Sequence, residues 1–146
     1  MNLFGMLEVS GSALAAERLR AEVVTANMAN AETTRTPTGG PYRRQLVVFR
    51  AQPLRPFPMM MTLAGYSPQA ATGVRVDRVL DSPAALVKRY QPGHPDAGHD
   101  GYVSYPAIDP VEETADLLGA VRAYELNASA VQAAKSMIQQ SLDLLH

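Results

Sequence analysis

Apolar positions recur along the C-terminal segment at alternating steps of four and three: Leu117, Val121, Tyr124, Ala128, Val131, Ile138, Leu142 and Leu145, with Lys135 interrupting. A repeat averaging 3.5 residues holds one narrow stripe on one side of a helix over many turns, as in a coiled-coil seam. Pro110, followed by Glu112, Glu113 and Asp116, marks the start: a proline suits the first turn, and acids suit the positive end of the helix dipole. The spacing predicts a helix over 111–146, about 50 Å long at 1.5 Å per residue. A compact fold of the other 110 residues cannot cover that length.

The N-terminal segment repeats the theme less strongly. Leu7, Leu14, Ala21 and Met28 recur every seven residues, with Leu3 and Val24 beside them and Ala13, Ala16, Leu19, Val23 and Ala26 widening the stripe. Gly5, Gly11, Ser10 and Ser12 lower helix propensity, so that end is expected to be ordered only by partners. Asn27 and Asn30 stand where the helix should stop, because Asn tolerates the left-handed conformation and bonds nearby backbone. The predicted N-terminal helical region is 1–35.

All 11 prolines fall between Pro37 and Pro110, leaving 36 proline-free residues at each end. Proline breaks helix interiors, so residues 36–110 read as an irregular, strand-bearing middle. Tyr42 to Arg50, Val74 to Asp77 and Gly101 to Tyr105 have the β-branched, aromatic or alternating character of strands. Gly39-Gly40-Pro41 and Pro92-Gly93 are turn signals. Residues 51–73 hold four prolines and Met59-Met60-Met61 and read as a long loop. The fold class is α+β: two long terminal helices pairing as a coiled coil, with a small β-rich, proline-rich middle.

Composition narrows the function. Of 146 residues 22 are alanine and only 9 aromatic, which favours thin, closely packed helices over a thick core. Thirteen basic against 14 acidic residues leave no basic excess for nucleic acid or for an anionic membrane. Without cysteine there is no disulfide, thiolate nucleophile or Cys-based zinc site. The N-terminus lacks a basic segment and a continuous apolar block, so no cleaved signal is expected. The longest charge-free run, between Arg55 and Arg75, is broken by prolines and glycines and does not span a membrane.

Few residues suggest chemistry. His94, Asp96, His99 and Asp100 have metal-ligand types, but no regular element aims them and no other His or Cys completes a set; a polar turn explains them better. Asp109, Glu112 and Glu113 read as dipole partners at a helix start before they read as an acid–base pair. Ser10 and Ser12 lack the order of a nucleophile elbow. Arg43, Arg44, Arg50 and Arg55, interleaved with Tyr42, Phe49 and Phe57, read as the wet face of a strand before a stacking surface for single-stranded nucleic acid. No enzyme, cofactor, metal, nucleic acid or small-molecule ligand is expected. The competing classes are a secreted helical effector and a small metal-dependent enzyme resting on the His94–Asp100 turn.

Several motifs carry a resemblance. Ala26-Asn27-Met28-Ala29-Asn30-Ala31-Glu32-Thr33 resembles the Asn-Leu-Ala-Asn-Ala-Asp-Thr signature that closes the first helix of bacterial flagellar rod and hook proteins, and Pro41-Tyr42-Arg43-Arg44 follows at a similar distance. Tyr90-Gln91-Pro92-Gly93-His94-Pro95, then Gly101-Tyr102-Val103, is similar to the central motif of the small proximal-rod members of that family. Glu112-Glu113, Arg122-Ala123-Tyr124, Asn127, Val131 and Lys135-Ser136-Met137 resemble their last helix. Met28 and Gln91 depart from the pattern, and residues 51–73 have no counterpart in it.

The resemblance implies a non-enzymatic subunit of the proximal rod, the periplasmic shaft that carries motor torque. It implies export through the flagellar type III apparatus without a cleaved signal, and assembly with other copies and other rod proteins. Another axial subunit of the rod and hook family is the nearest alternative. The expected assembly interface comprises Leu7, Leu14, Val24, Asn27, Met28, Asn30, Leu117, Val121, Tyr124, Ala128, Val131, Ile138 and Leu142.

Overall fold

Two long helices flank four strands in the computed structural model, which describes residues 3–53 and 72–144. Helix α1 spans Leu3–Ala29 and helix α2 spans Pro110–Asp143. Between them lie β1 (Gln45–Pro53), β2 (Thr72–Asp81), β3 (Val87–Tyr90) and β4 (Tyr102–Tyr105). The fold is α+β, with β1 beside β2 and β3 beside β4 in two separate ribbons. Met59-Met60-Met61 and Arg55 lie outside the described residues.

Each helix boundary has a local cause. At α2, Asp109 Oδ1 accepts the Val111 N–H at 2.9 Å and the Asp109 carbonyl accepts the Glu113 N–H at 3.0 Å, an N-cap preceding proline in the first turn. At α1 the stop comes earlier than residue 35. Asn30 Nδ2 donates to the Ala26 carbonyl at 2.9 Å, and Asn30 Oδ1 accepts the Thr33 hydroxyl at 3.1 Å. The free carbonyls of the last turn are met by tighter backbone bonds, Asn27 by the Asn30 N–H at 3.2 Å and Met28 by the Ala31 N–H at 3.3 Å. The left-handed conformation expected of Asn is not used: among the described residues only Gly39, Gly40 and Gly101 have positive φ.

The described residues fall into two compact units, one within Met1–Leu19, Phe49–Asp77 and Ala120–His146, the other within Arg20–Val48 and Arg78–Gly119. In the first, Ser12 does more than weaken a helix: its hydroxyl donates to the Val9 carbonyl at 2.7 Å and accepts the Val74 N–H of β2 at 3.0 Å. Arg50 of β1 pairs with Asp77 of β2 at 3.3 Å. Ala16, Ala120 and Ala134 are its buried apolar side chains.

In the second unit Val23, Val24, Val103, Tyr105 and Pro106 are buried. The Ser82 N–H donates to the Arg44 carbonyl at 2.7 Å, joining the residue after β2 to the residue before β1, as an antiparallel ribbon requires. β3 and β4 are antiparallel with Val87 opposite Tyr105 and Tyr90 opposite Tyr102. β3 was not expected; all four of its residues are exposed, so no apolar alternation announces it. Gly39 (φ 90°) and Gly40 (φ 77°) form the turn that returns the chain toward β1, with the Gly39 N–H bonded to the Thr36 carbonyl at 2.9 Å.

On α2 the most buried positions are Glu113, Ala120 and Ala134. They fall on a seven-residue spacing that Asn127, half-buried, completes. This line of small and polar residues is not the one picked out by large side chains. Of the expected seam, Leu117, Ala128, Val131 and Ile138 are half-buried, whereas Val121, Tyr124 and Leu142 are exposed. On α1, Val24 and Asn27 are buried and Leu7, Leu14, Met28 and Asn30 half-buried. No helix among the described residues is long and apolar enough to cross a membrane.

Candidate functional site

The second unit contains a buried polar junction between the end of α1, the approach to β1 and the start of α2. At its centre is Asn27, 1% exposed, whose carboxamide is fully engaged. Nδ2 donates to the Gln45 carbonyl at 2.9 Å and to Glu113 Oε2 at 3.1 Å. Oδ1 accepts the Gln45 N–H at 2.8 Å and the Tyr42 hydroxyl at 3.1 Å. The side chain thus offers Gln45 one acceptor and one donor, as a neighbouring strand would. A carboxamide provides the two from separate atoms, so the acceptor and the donor are both used at once. Asn27 lies within α1 and does not end it.

Glu113 is the fully buried carboxylate of the junction, 0% exposed. Its Oε1 accepts from Arg44 Nε, and its Oε2 from Asn27. Arg44 also reaches Glu112 at 3.3 Å and Asp116 at 3.4 Å, while Arg20 meets Asp116 at 3.2 Å. Two guanidiniums therefore face three carboxylates. Burial disfavours the Arg44 cation, but the hydrogen bond and charge of Glu113, with Glu112 and Asp116, hold it above its ordinary pKa. Burial, then the charges of Asp81 and Glu113, push the Tyr42 phenol up from its ordinary 10.0.

Two expectations change here. Arg44 does not lie on a strand's wet face; its side chain is only 18% exposed and belongs to the junction. The acids at the start of α2 do more than face the helix dipole, because Glu113 is the anion that receives Arg44. The sequence signal was present as Arg44 and Glu113 separately, but 69 residues divide them and only the fold joins them.

The His94–Asp100 segment is occupied by its own turn. His94 Nδ1 accepts the Asp96 N–H at 3.1 Å, Asp96 accepts the Thr34 hydroxyl at 2.8 Å, and Asp100 Oδ1 accepts the Tyr102 N–H at 3.4 Å. An open groove of about 460 Å³ runs past it, lined by Thr34, Arg35, Lys88, Asp96 and Tyr102 among others. Arg35 stands 3.7 Å from Asp96 there.

The junction ties the end of α1, the approach to β1 and the start of α2 together through buried hydrogen bonds and an ion pair.

Comparison with known proteins gives the family of the chain. Residues 7–35 match the family described as flagella basal body rod protein, and residues 99–144 match the flagellar basal body rod FlgEFG protein C-terminal family. The bond from Asn27 to Glu113 joins these two stretches, whereas Tyr42 and Arg44 lie outside both. Similar proteins named flagellar basal-body rod protein FlgC occur in Borreliella burgdorferi, 37% identical over 150 aligned residues with 99% of each chain covered, and in Bacillus subtilis, 35% identical over 148 with the same coverage. The Salmonella typhimurium FlgC protein is 35% identical over 144 residues, covering 99% of this chain and 98% of its own. Near-complete alignment at this identity, with both family matches falling on the two terminal helices, places the chain in the FlgC family of structural rod subunits of the bacterial flagellar basal body.

Proposed function

We propose that this subunit belongs to the proximal part of the rod, where it transmits torque through the packing of its two terminal helices against other copies and other rod proteins. Helices α1 and α2 pair as a coiled coil in the shaft wall, while the middle of the chain forms an outer, β-rich part. The chain reaches the periplasm through the flagellar type III apparatus with its N-terminus uncleaved. It works without catalysis, cofactor or small-molecule ligand.

The observation that carries this reading is the surface of α2. Val121, Tyr124, Leu126 and Leu142 are 42–72% exposed in the isolated chain, on a helix of 34 residues. Such an apolar surface is characteristic of a partner-binding element. On α1 the exposed positions, from Glu8 to Ala29, also recur at alternating steps of three and four, the outer line of a heptad helix. Contacts repeated head to tail between different faces build a filament instead of a closed dimer.

The test is Val131→Asp. An unpaired charge on the expected seam is costly to bury, so the variant should be missing from purified basal bodies and its cells should not swim. Normal swimming by cells making only this variant refutes assembly through that seam.

A further inference from the structure

Lys135 breaks the apolar series of α2, and neither the fold nor the junction gives it a role. It lies at the end of a line Leu118, Val121, Glu125, Ala128, Gln132, Lys135, stepping by three and four; all but the half-buried Ala128 are exposed. On α1 the exposed line Glu8, Gly11, Ala15, Arg18, Glu22, Thr25 steps in the same way.

We propose that these two lines meet between neighbouring copies, α2 of one lying antiparallel on α1 of the next. This rests on the rod-subunit reading and specifies its copy-to-copy contact. Laid antiparallel, the lines register over their whole length with Lys135 opposite Glu8, Glu125 opposite Arg18, and Arg122, beside Val121, within reach of Glu22. Lys135 and Glu125 then face opposite charges directly, and Glu22, lying against Val121, has Arg122 one residue away. Orientation follows from spacing: the α1 charges are separated by ten and then four residues, and the α2 charges, taken backwards from Lys135, by ten and then three. Run parallel, the wide gap of one helix would face the narrow gap of the other.

In the same register Ala128 comes against Ala15, and the 53%-exposed Leu118 against Thr25. Small residues at Gly11 and Ala15 let the helix axes approach closely, and the space around Gly11 is open. Exposed ion pairs add little affinity, so the charges set direction and register while close packing at the small residues and repetition along the assembly hold the contact.

The chain has no cysteine, which makes introduced thiols the only ones on it. The experiment uses cells making only the full-length Gly11→Cys/Gln132→Cys chain, whose basal bodies are purified and treated with a short bis-maleimide. The opposed positions should give multimers of this chain, at least tenfold more than Gly11→Cys/Gln139→Cys, displaced by two helical turns. A second measurement is independent of cross-linking. Lys135→Glu should impair swimming, and Glu8→Lys in the same chain should restore it, because each copy carries both faces. Equal multimer yields for the two cysteine pairs, or no restoration by the double reversal, overturn the pairing. If the wild-type chain is present in basal bodies while these results fail, only the pairing falls. If it is absent from them, the rod reading falls as well.

Discussion

Replacing Arg44 by methionine keeps most of the side chain's volume and removes the cation from the buried junction. Glu113, fully buried, would retain only the Asn27 amide as a partner. Removing one member of a buried ion pair costs about 3–5 kcal/mol, because the other charge is left uncompensated. The lost contacts to Glu112 and Asp116, 61% and 40% exposed, add at most about 1 kcal/mol each, and Asp116 keeps Arg20. Arg44→Met should therefore lower stability by about 3–5 kcal/mol at pH 7, or roughly 10 °C in melting temperature. Urea unfolding of the full chain followed by far-ultraviolet circular dichroism measures it. Adding Glu113→Met should recover part of the loss, since an apolar pair replaces a buried ion pair at little cost. A loss below about 1 kcal/mol at pH 7, or no recovery in the double variant, would refute the uncompensated-charge argument.

Asn27→Asp should destabilise more than Asn27→Ala in the same urea assay, since it sets a second carboxylate against Glu113 and removes the donor to the Gln45 carbonyl; the reverse order would contradict the assigned amide orientation. Tyr42→Phe should cost about 1 kcal/mol at pH 7 through the lost bond to Asn27. It should also flatten the alkaline limb of stability. The folded phenol holds its proton above the unfolded value near 10, so wild-type stability is complete below pH 10 and falls as pH rises beyond it; unfolding curves between pH 8 and 11 that superimpose in slope would exclude this. Gly101→Ala should cost about 1–2 kcal/mol, more than Gly39→Ala, by thermal melts. Both have positive φ, but only at Gly101 would a Cβ meet a side chain, Tyr90 Cε2 at 2.7 Å.

Much of this architecture is legible in the sequence where local physics decides it. Asp109, Pro110 and the following acids set the start of α2. Gly39-Gly40 gave the turn, because positive φ needs glycine. What local pattern misses is anything decided by distant partners. Reading large side chains as the buried stripe of α2 overlooked Ala120 and Ala134, which are fully buried and which hydropathy barely separates from exposed alanines. Arg44 looked like surface charge because its anion arrives from the other end of the chain. Asn27 was recognisable as part of a motif, yet its bonds to Gln45, Tyr42 and Glu113 depend on where β1 and α2 lie. The same limit hid β3, whose exposed residues are held by pairing with β4.

The central claim is that this chain is a rod subunit that assembles as a full-length exported protein. Quantitative mass spectrometry of detergent-extracted basal bodies from the native cell tests it most directly. The account predicts the intact chain, beginning at Met1 or Asn2, in a fixed ratio to the other rod components. Basal bodies with complete rods that lack the chain, with the protein recovered only from the cytosol or medium, would contradict it.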